Sequence, residues 1–158
     1  MSPTTRVSEM IKASGPPQIA AWRLMLETHA DLMERFEVVF RDSHGLSLTE
    51  FDTLINMPPD TPIRHRDLVQ SLVVTRSALS RLLRRFEERG IVTQTADVDD
   101  QRGIRVALTP EGVELREAAA KSNAEVIFSA FSGLTVEEAD TLYELVSKIR
   151  TDGAGPGA

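Results

Sequence analysis

The sequence predicts a mainly α-helical protein with one small β hairpin, and three observations support this. Most of the 158 residues fall in segments whose apolar positions recur at helical spacing. Only residues 91–96 and 104–108 alternate apolar and polar side chains as strands do. Residues 64–89 read as a short helix, a tight turn and a longer helix, directly before those strands. This order of elements is that of a helix-turn-helix followed by a hairpin, which is a winged helix-turn-helix lobe.

Length and composition set the first bounds on function. The chain is long enough for one domain with a buried core, and its hydrophobic and charged fractions, 41% and 27%, are ordinary for a globular protein. It contains no cysteine, which excludes disulfides and thiol chemistry. The N-terminus lacks the apolar core of a signal peptide, and no apolar run is long enough to span a bilayer. We therefore expect a cytoplasmic protein without membrane contact.

The two ends of the chain read as dimerisation helices. Ile19, Leu26, Met33 and Phe40 recur every seven residues, with Trp22 on the alternating step. Such a stripe is typical of a helix that packs on a second helix, here of another copy, although folding back onto a monomeric core would use the same pattern. The predicted organisation is a flexible arm over 1–16, one domain over 17–150 with its winged helix-turn-helix at about 47–109 and dimerisation helices at about 18–42 and 110–150, and a disordered tail over 151–158.

Helix ends are marked by capping residues. Ser47 and Glu50 have the spacing of a capping box, and Thr75 is a suitable N-cap for the second helix of the motif. Gly90 is expected to end that helix in the left-handed conformation. Pro110, after a threonine, marks the start of the next helix. These signals fix the boundaries of the helix-turn-helix.

The charge of the chain is concentrated in one place. Residues 64–89 contain seven arginines and three acidic residues, a local charge of +4, so the rest must carry −10 to give the total of −6. A basic patch on an acidic body fits a site-specific DNA-binding protein, because only the docking face must be positive. A solvated helix face is the alternative interpretation of such a run. The coincidence with the motif favours DNA binding.

The second helix of the motif has one apolar and one polar side. Its apolar side, predicted to be buried, consists of Ala78, Leu79, Leu82, Leu83 and Phe86. Arg76, Ser77, Ser80, Arg81 and Arg84 lie on the opposite side. The first residues of such a helix enter the major groove, where Arg can hold guanine O6 and N7 with two hydrogen bonds.

Three segments carry a resemblance to a known family. They are GLSLTEFDTL (45–54), RDLVQSLVVTRSALSRLLRRFEERGIV (66–92) and DDQRGIRVALTPEG (99–112). Through them the chain resembles the MarR (multiple antibiotic resistance regulator) family of winged helix-turn-helix repressors over about residues 18–150. The resemblance implies a homodimer on a palindromic double-stranded DNA operator, a small-molecule effector, and Arg102 in the minor groove held by Asp100. The predicted DNA-binding residues are Thr75, Arg76, Ser77, Ser80, Arg81, Arg84, Asp100, Arg102 and Arg105.

The turn of the motif departs from the usual pattern. Residues 71–74, Ser-Leu-Val-Val, lack the glycine that such turns often carry. Because β-branched residues tolerate positive φ poorly, we expect a different backbone path here.

The remaining candidates concern ligands and catalysis. Trp22 and His29, one heptad apart, are candidate effector-binding residues, although interface packing is the preferred interpretation. The three histidines are dispersed, which argues against a metal site, and no catalytic motif is present, so we predict no cofactor and no enzyme. Two alternatives to a ligand-released repressor stay open: a winged-helix module for protein contact, and a ligand-independent DNA-binding regulator.

Overall fold

The computed structural model describes residues 15–98 and 103–151, and the chain divides into two compact units after Asn123. The elements are α1 (Pro17–His44), α2 (Leu48–Ile55), β1 (Ile63–Arg64), α3 (His65–Ser71), α4 (Arg76–Glu88), β2 (Val92–Ala96), β3 (Ile104–Leu108), α5 (Pro110–Phe131) and α6 (Val136–Thr151). The predicted mainly α fold with a small hairpin is confirmed. Most of the predicted arm and tail lies outside the described residues. No helix in the described ranges has the length and apolar character needed to cross a membrane.

The core of the first unit is built around the end of α1. Phe36 and Phe40 are buried, and the Phe40 ring stacks on Phe51 with centroids 4.1 Å apart. The helix ends at His44 because Gly45 takes the left-handed conformation, with φ of 62°, and donates its N–H to the Arg41 carbonyl. The helix expected over about residues 18–42 thus extends to His44.

The capping signals act as the sequence predicts. Ser47 accepts a hydrogen bond from the Glu50 amide, and the Glu50 carboxylate accepts one from the Ser47 amide. Thr109 accepts the Gly112 amide at 3.0 Å and starts α5 at Pro110. These bonds satisfy amides that a helix N-terminus otherwise leaves without partners. They fix where α2 and α5 begin and, with them, the borders of the lobe between.

The turn of the helix-turn-helix follows an extended path. Leu72 has φ of −122° and is buried, whereas the Val73 side chain is fully exposed. Across the described residues, positive φ occurs only at glycines. The glycine-free turn therefore requires no residue with positive φ, because extended φ is open to Leu and Val alike.

The sheet has three strands in the order β1-β3-β2, all antiparallel. The predicted hairpin is confirmed, with Val92 opposite Leu108 and Ala96 opposite Ile104. The sequence missed β1, which pairs Arg64 with Arg105. A strand of two residues is too short to show alternation. It nevertheless connects the start of the helix-turn-helix to the hairpin.

The second unit contains the end of α5 and the whole of α6. Thr135 and Glu138 cap α6 reciprocally, as Ser47 and Glu50 cap α2. Large apolar side chains of this unit are exposed, among them Phe128, Tyr143 and Ile149. Two helices of this length have too little interior to cover all of these side chains by themselves.

Candidate nucleic-acid interface

Helix α4 separates its apolar and polar residues as the sequence predicts. Thr75 caps it by accepting the Ala78 amide at 3.2 Å. The side facing the core buries Leu79, Leu82, Leu83 and Phe86, while Ala78 is half-buried. The opposite side exposes Arg76, Ser77, Ser80, Arg81 and Arg84. The helix is held by its leucines and presents an arginine-rich face to solvent.

The arginines of α4 differ in their partners. The Arg85 guanidinium lies 3.3 Å from Glu50 on α2. Arg76, Arg81 and Arg84 form no ion pair with any residue in the described ranges. Their charges are therefore not neutralised by these neighbours. A face that carries three such guanidinium groups is suited to phosphates and to base edges that accept hydrogen bonds.

All three short polar residues predicted to contact DNA, Thr75, Ser77 and Ser80, make hydrogen bonds within the protein. Ser80 Oγ donates to the Arg76 carbonyl at 3.0 Å and lies 3.2 Å from Nε2 of His65. Thr75 Oγ1 serves as the helix cap and lies 3.3 Å from Ser77 Oγ. Each hydroxyl oxygen can still accept a further hydrogen bond, for example from DNA. Its orientation, however, is fixed by its hydrogen bonds within the helix-turn-helix.

His65 connects α3 to α4 from a buried position. Burial lowers the pKa of its imidazole below the ordinary value of 6.5, and the nearby charge of Arg76 lowers this pKa further. The ring is therefore neutral at pH 7. It bonds to Ser80 without adding charge to the helix-turn-helix.

A buried carboxylate organises the base of the hairpin. Asp97 is only 1% exposed, and its Oδ2 lies 2.8 Å from Arg64 Nε while its Oδ1 lies 3.0 Å from Arg105 Nε. The Asp97 amide donates to the Gly103 carbonyl at 2.9 Å. Arg105, predicted to contact DNA, thus has its guanidinium against a carboxylate of the protein. The sequence singled out neither Arg64 nor Asp97 for this role, because the partners lie on separate elements.

The other predicted site residues are not brought to this surface by the described structure. Asp100 and Arg102 lie outside the described residues, so their role at the wing tip stays a prediction from the sequence. Trp22 and His29 lie on α1 with exposed side chains. Across residues 15–98 and 103–151, no group of three or more histidine or acidic side chains could hold a metal ion.

A cleft of about 310 Å³ separates the first two turns of α4 from the base of the hairpin. We call it the wing-root cleft, and the side chains that matter in it are Arg64, His65, Arg66, Arg76, Ser80 and Asp97. The sequence identified Arg76 and Ser80 for DNA contact but not the α3 side of the cleft. Nothing local in residues 64–66 signals that they face α4.

A helix-turn-helix with an exposed basic second helix beside an antiparallel hairpin defines the winged helix-turn-helix class of DNA-binding proteins. Comparison with known proteins supports this. The model of the MarR family matches residues 44–103. The HTH-type transcriptional regulator SarZ of Staphylococcus saprophyticus is 28% identical over 107 residues, which are 65% of this chain and 72% of that protein. YkoM of Bacillus subtilis, also an HTH-type transcriptional regulator, is 29% identical over 68% of this chain and 71% of its own.

Solved structures agree with the sequence matches. Sco3205 of Streptomyces coelicolor, a MarR family regulator in complex with DNA, is 25% identical with a TM-score of 0.71, over 87% of this chain and 89% of that one. A MarR mutant from E. coli complexed with operator DNA shares the fold at 23% identity and a TM-score of 0.68, over 80% of this chain and 91% of that one. Residues 44–103 therefore match the MarR family, and the chain as a whole shares the fold of MarR family regulators.

Proposed function

We propose that this protein is a DNA-binding transcriptional regulator, a homodimeric repressor that binds an inverted-repeat operator and is released by a small aromatic or phenolic ligand. The observation that carries the DNA-binding part is the exposed face of α4. Its Arg76, Arg81 and Arg84 have no ion pair with a described residue, whereas the neighbouring Arg85 is paired. The similarity to two regulators solved with DNA supports the same interpretation.

In the proposed complex the N-terminal turns of α4 enter the major groove. Arg81 and Arg84 lie far enough along the helix to contact base edges or phosphates, while Arg76 sits at its first turn. The wing would place Arg102 in the adjacent minor groove, whose narrow, negative interior attracts arginine. Asp97 supports this arrangement by holding Arg64 and Arg105 at the base of the wing.

The homodimer is proposed from the exposed apolar face of α1. In the C-terminal half of α1 the heptad stripe is buried in the core, at Phe36 and Phe40. In the N-terminal half the same stripe is exposed, at Ile19, Trp22 and Leu26. A contiguous apolar surface of this kind marks an interaction site, and a second copy of the chain supplies the matching surface.

The DNA-binding proposal predicts tight, salt-sensitive binding to one stretch of DNA. Fluorescence anisotropy with the DNA upstream of the protein's own gene is expected to show a site with half-site centres about ten base pairs apart. Its affinity should fall steeply with added salt, because phosphate contacts release counterions. Random DNA of the same length is the control and should bind at least about a thousandfold more weakly. Equal affinity for both DNAs, or no binding to either, would contradict the proposal.

The homodimer can be followed through Trp22, the only tryptophan of the chain. This side chain is 57% exposed on the single chain. Association should bury it and shift its fluorescence to shorter wavelength as protein concentration rises. Light scattering should give the mass of two chains for the wild type and a larger monomer fraction for Trp22→Ala. A concentration-independent spectrum together with a monomeric mass would exclude a dimer through α1.

Ligand release is the part of the proposal that depends on Trp22 and His29 together. An aromatic side chain and an imidazole one heptad apart can stack on an aromatic ring and bond to its hydroxyl or carboxylate group. Adding a panel of aromatic carboxylates and phenols to the DNA titration tests it. Release of DNA by one of them, lost in His29→Ala while DNA binding is retained, is the expected result.

A further inference from the structure

The wing-root cleft lies where a winged helix must straddle the DNA backbone. It is lined by residues of the first two turns of α4, of the base of the hairpin, of β1 and of the start of α3. A helix in the major groove and a wing in the neighbouring minor groove are separated by one phosphodiester strand. In the proposed complex that strand passes between α4 and the hairpin, over this cleft.

The charges around the cleft suit an anion. Arg64, Arg66 and Arg76 line it, and Arg105 reaches the same Asp97 carboxylate as Arg64. Among residues 15–98 and 103–151, these groups and Asp67, which lies 3.5 Å from Arg66, make four guanidinium groups and two carboxylates, a net charge of +2. The Asp97 carboxylate has both oxygens against guanidinium groups and adds little repulsion.

We propose that the wing-root cleft seats one phosphodiester of the DNA backbone, held by Arg66 and Arg76. This inference rests on the proposed DNA binding and adds a contact that carries no base specificity. Such contacts fix the register of the protein on the duplex, so that the reading residues meet the correct base pairs.

Substitution of Arg66 best distinguishes a phosphate-binding cleft from a cluster of ion pairs that only stabilises the fold. The Arg66 side chain is 52% exposed, and its partner Asp67 is exposed to the same degree. An ion pair between two such exposed groups contributes little to stability, so a phosphate can compete with Asp67 for this guanidinium. Arg64 holds the 1%-exposed Asp97 and is better left intact, since its loss would disturb the wing itself.

The test combines protein variants with DNA in which single phosphates are neutral. Methylphosphonate linkages are introduced one at a time through the half-site, and affinity is measured for the wild type, Arg66→Ala, Arg66→Lys and Lys121→Ala. For the wild type, one methylphosphonate linkage between the two grooves should lower the affinity about tenfold. Arg66→Ala should bind normal DNA about tenfold more weakly, and its slope of log affinity against log salt concentration should be smaller by about one. The affinity of Arg66→Ala should not fall further at that linkage.

Two variants serve as controls. Arg66→Lys keeps a positive charge and should retain most of the sensitivity to that linkage. Lys121→Ala removes one exposed positive charge from α5, outside the cleft, and should behave as the wild type. If Arg66→Ala loses as much affinity at that linkage as the wild type, Arg66 does not bind this phosphate in the cleft, although the DNA-binding proposal stands. A folded wild type that binds no DNA overturns both.

The same arginines could instead bind a small free anion. A titration with inorganic phosphate at constant ionic strength distinguishes this alternative from binding of the DNA backbone. Binding of phosphate that Arg66→Ala abolishes, with identical methylphosphonate profiles for both proteins, would show a small-anion site and overturn the assignment to the DNA backbone.

Discussion

Gly112→Ala is expected to destabilise the protein by about 3 kcal/mol, the upper part of the usual range for overpacking a core. A methyl group at this position would overlap the carbonyl oxygen of Ile91 and lie 3.0 Å from its carbonyl carbon. The Ile91 backbone cannot retreat easily. Its carbonyl accepts hydrogen bonds from the amide and the hydroxyl of Thr109, and Ile91 itself is buried. The close approach of α5 to the start of the wing therefore requires glycine.

Thermal unfolding measures this effect, with a matched control in the same chain. A loss of 3 kcal/mol corresponds to about 10 °C in Tm for a protein of this size. Gly133→Ala adds the same methyl group where nothing lies within 4 Å of it, and should change Tm by little. Because Ile91 precedes β2, Gly112→Ala should also displace the wing and weaken DNA binding. Equal melting of both variants would show that α5 does not approach Ile91 so closely.

The helix boundaries could be predicted from the sequence because their causes are local. Ser47 and Glu50 are three residues apart, and so are Thr109 and Gly112; each pair meets within one turn. Helix caps can therefore be predicted from the sequence alone. The same holds for the buried and exposed faces of α4, which follow from helical period alone.

The wing root could not be predicted because its cause is not local. Arg64 and Asp97 are 33 positions apart and meet only because β1 pairs with β3. With only two residues, β1 shows no alternation, so nothing indicated this pairing. Nothing local to Asp97, which lies between the two strands of the hairpin, indicates that the structure buries it.

The sequence also could not distinguish among the arginines of α4. Arg84 and Arg85 are adjacent, yet only Arg85 is directed toward Glu50 on α2. The difference depends on where α2 packs, which the heptad pattern does not specify. The identity of the arginines available for DNA is a property of the folded lobe.

Arg81→Ala tests that property directly and is expected to cost at least tenfold in operator affinity. A bidentate contact from Arg to guanine is worth about 1–3 kcal/mol of discrimination between bases. Arg81 lies on the exposed face of α4, five residues after Arg76, with no ion pair to a described residue. Its loss should weaken binding to the operator far more than to random DNA, measured by anisotropy at a single salt concentration.

Arg85→Ala is the matched control, because it removes the same charge from the same helix. Its guanidinium is already directed to Glu50, so operator affinity should change by less than about threefold. Equal Tm values for the variants would establish that both remain folded. If Arg81→Ala weakens binding to operator and random DNA by the same factor, Arg81 contacts phosphate only, and base reading must then come from Arg84 or Arg76. If neither Arg81→Ala nor Arg85→Ala changes operator affinity, the exposed face of α4 does not bind DNA. Removal of the Arg81 charge would then have no more effect than removal of the paired Arg85 charge.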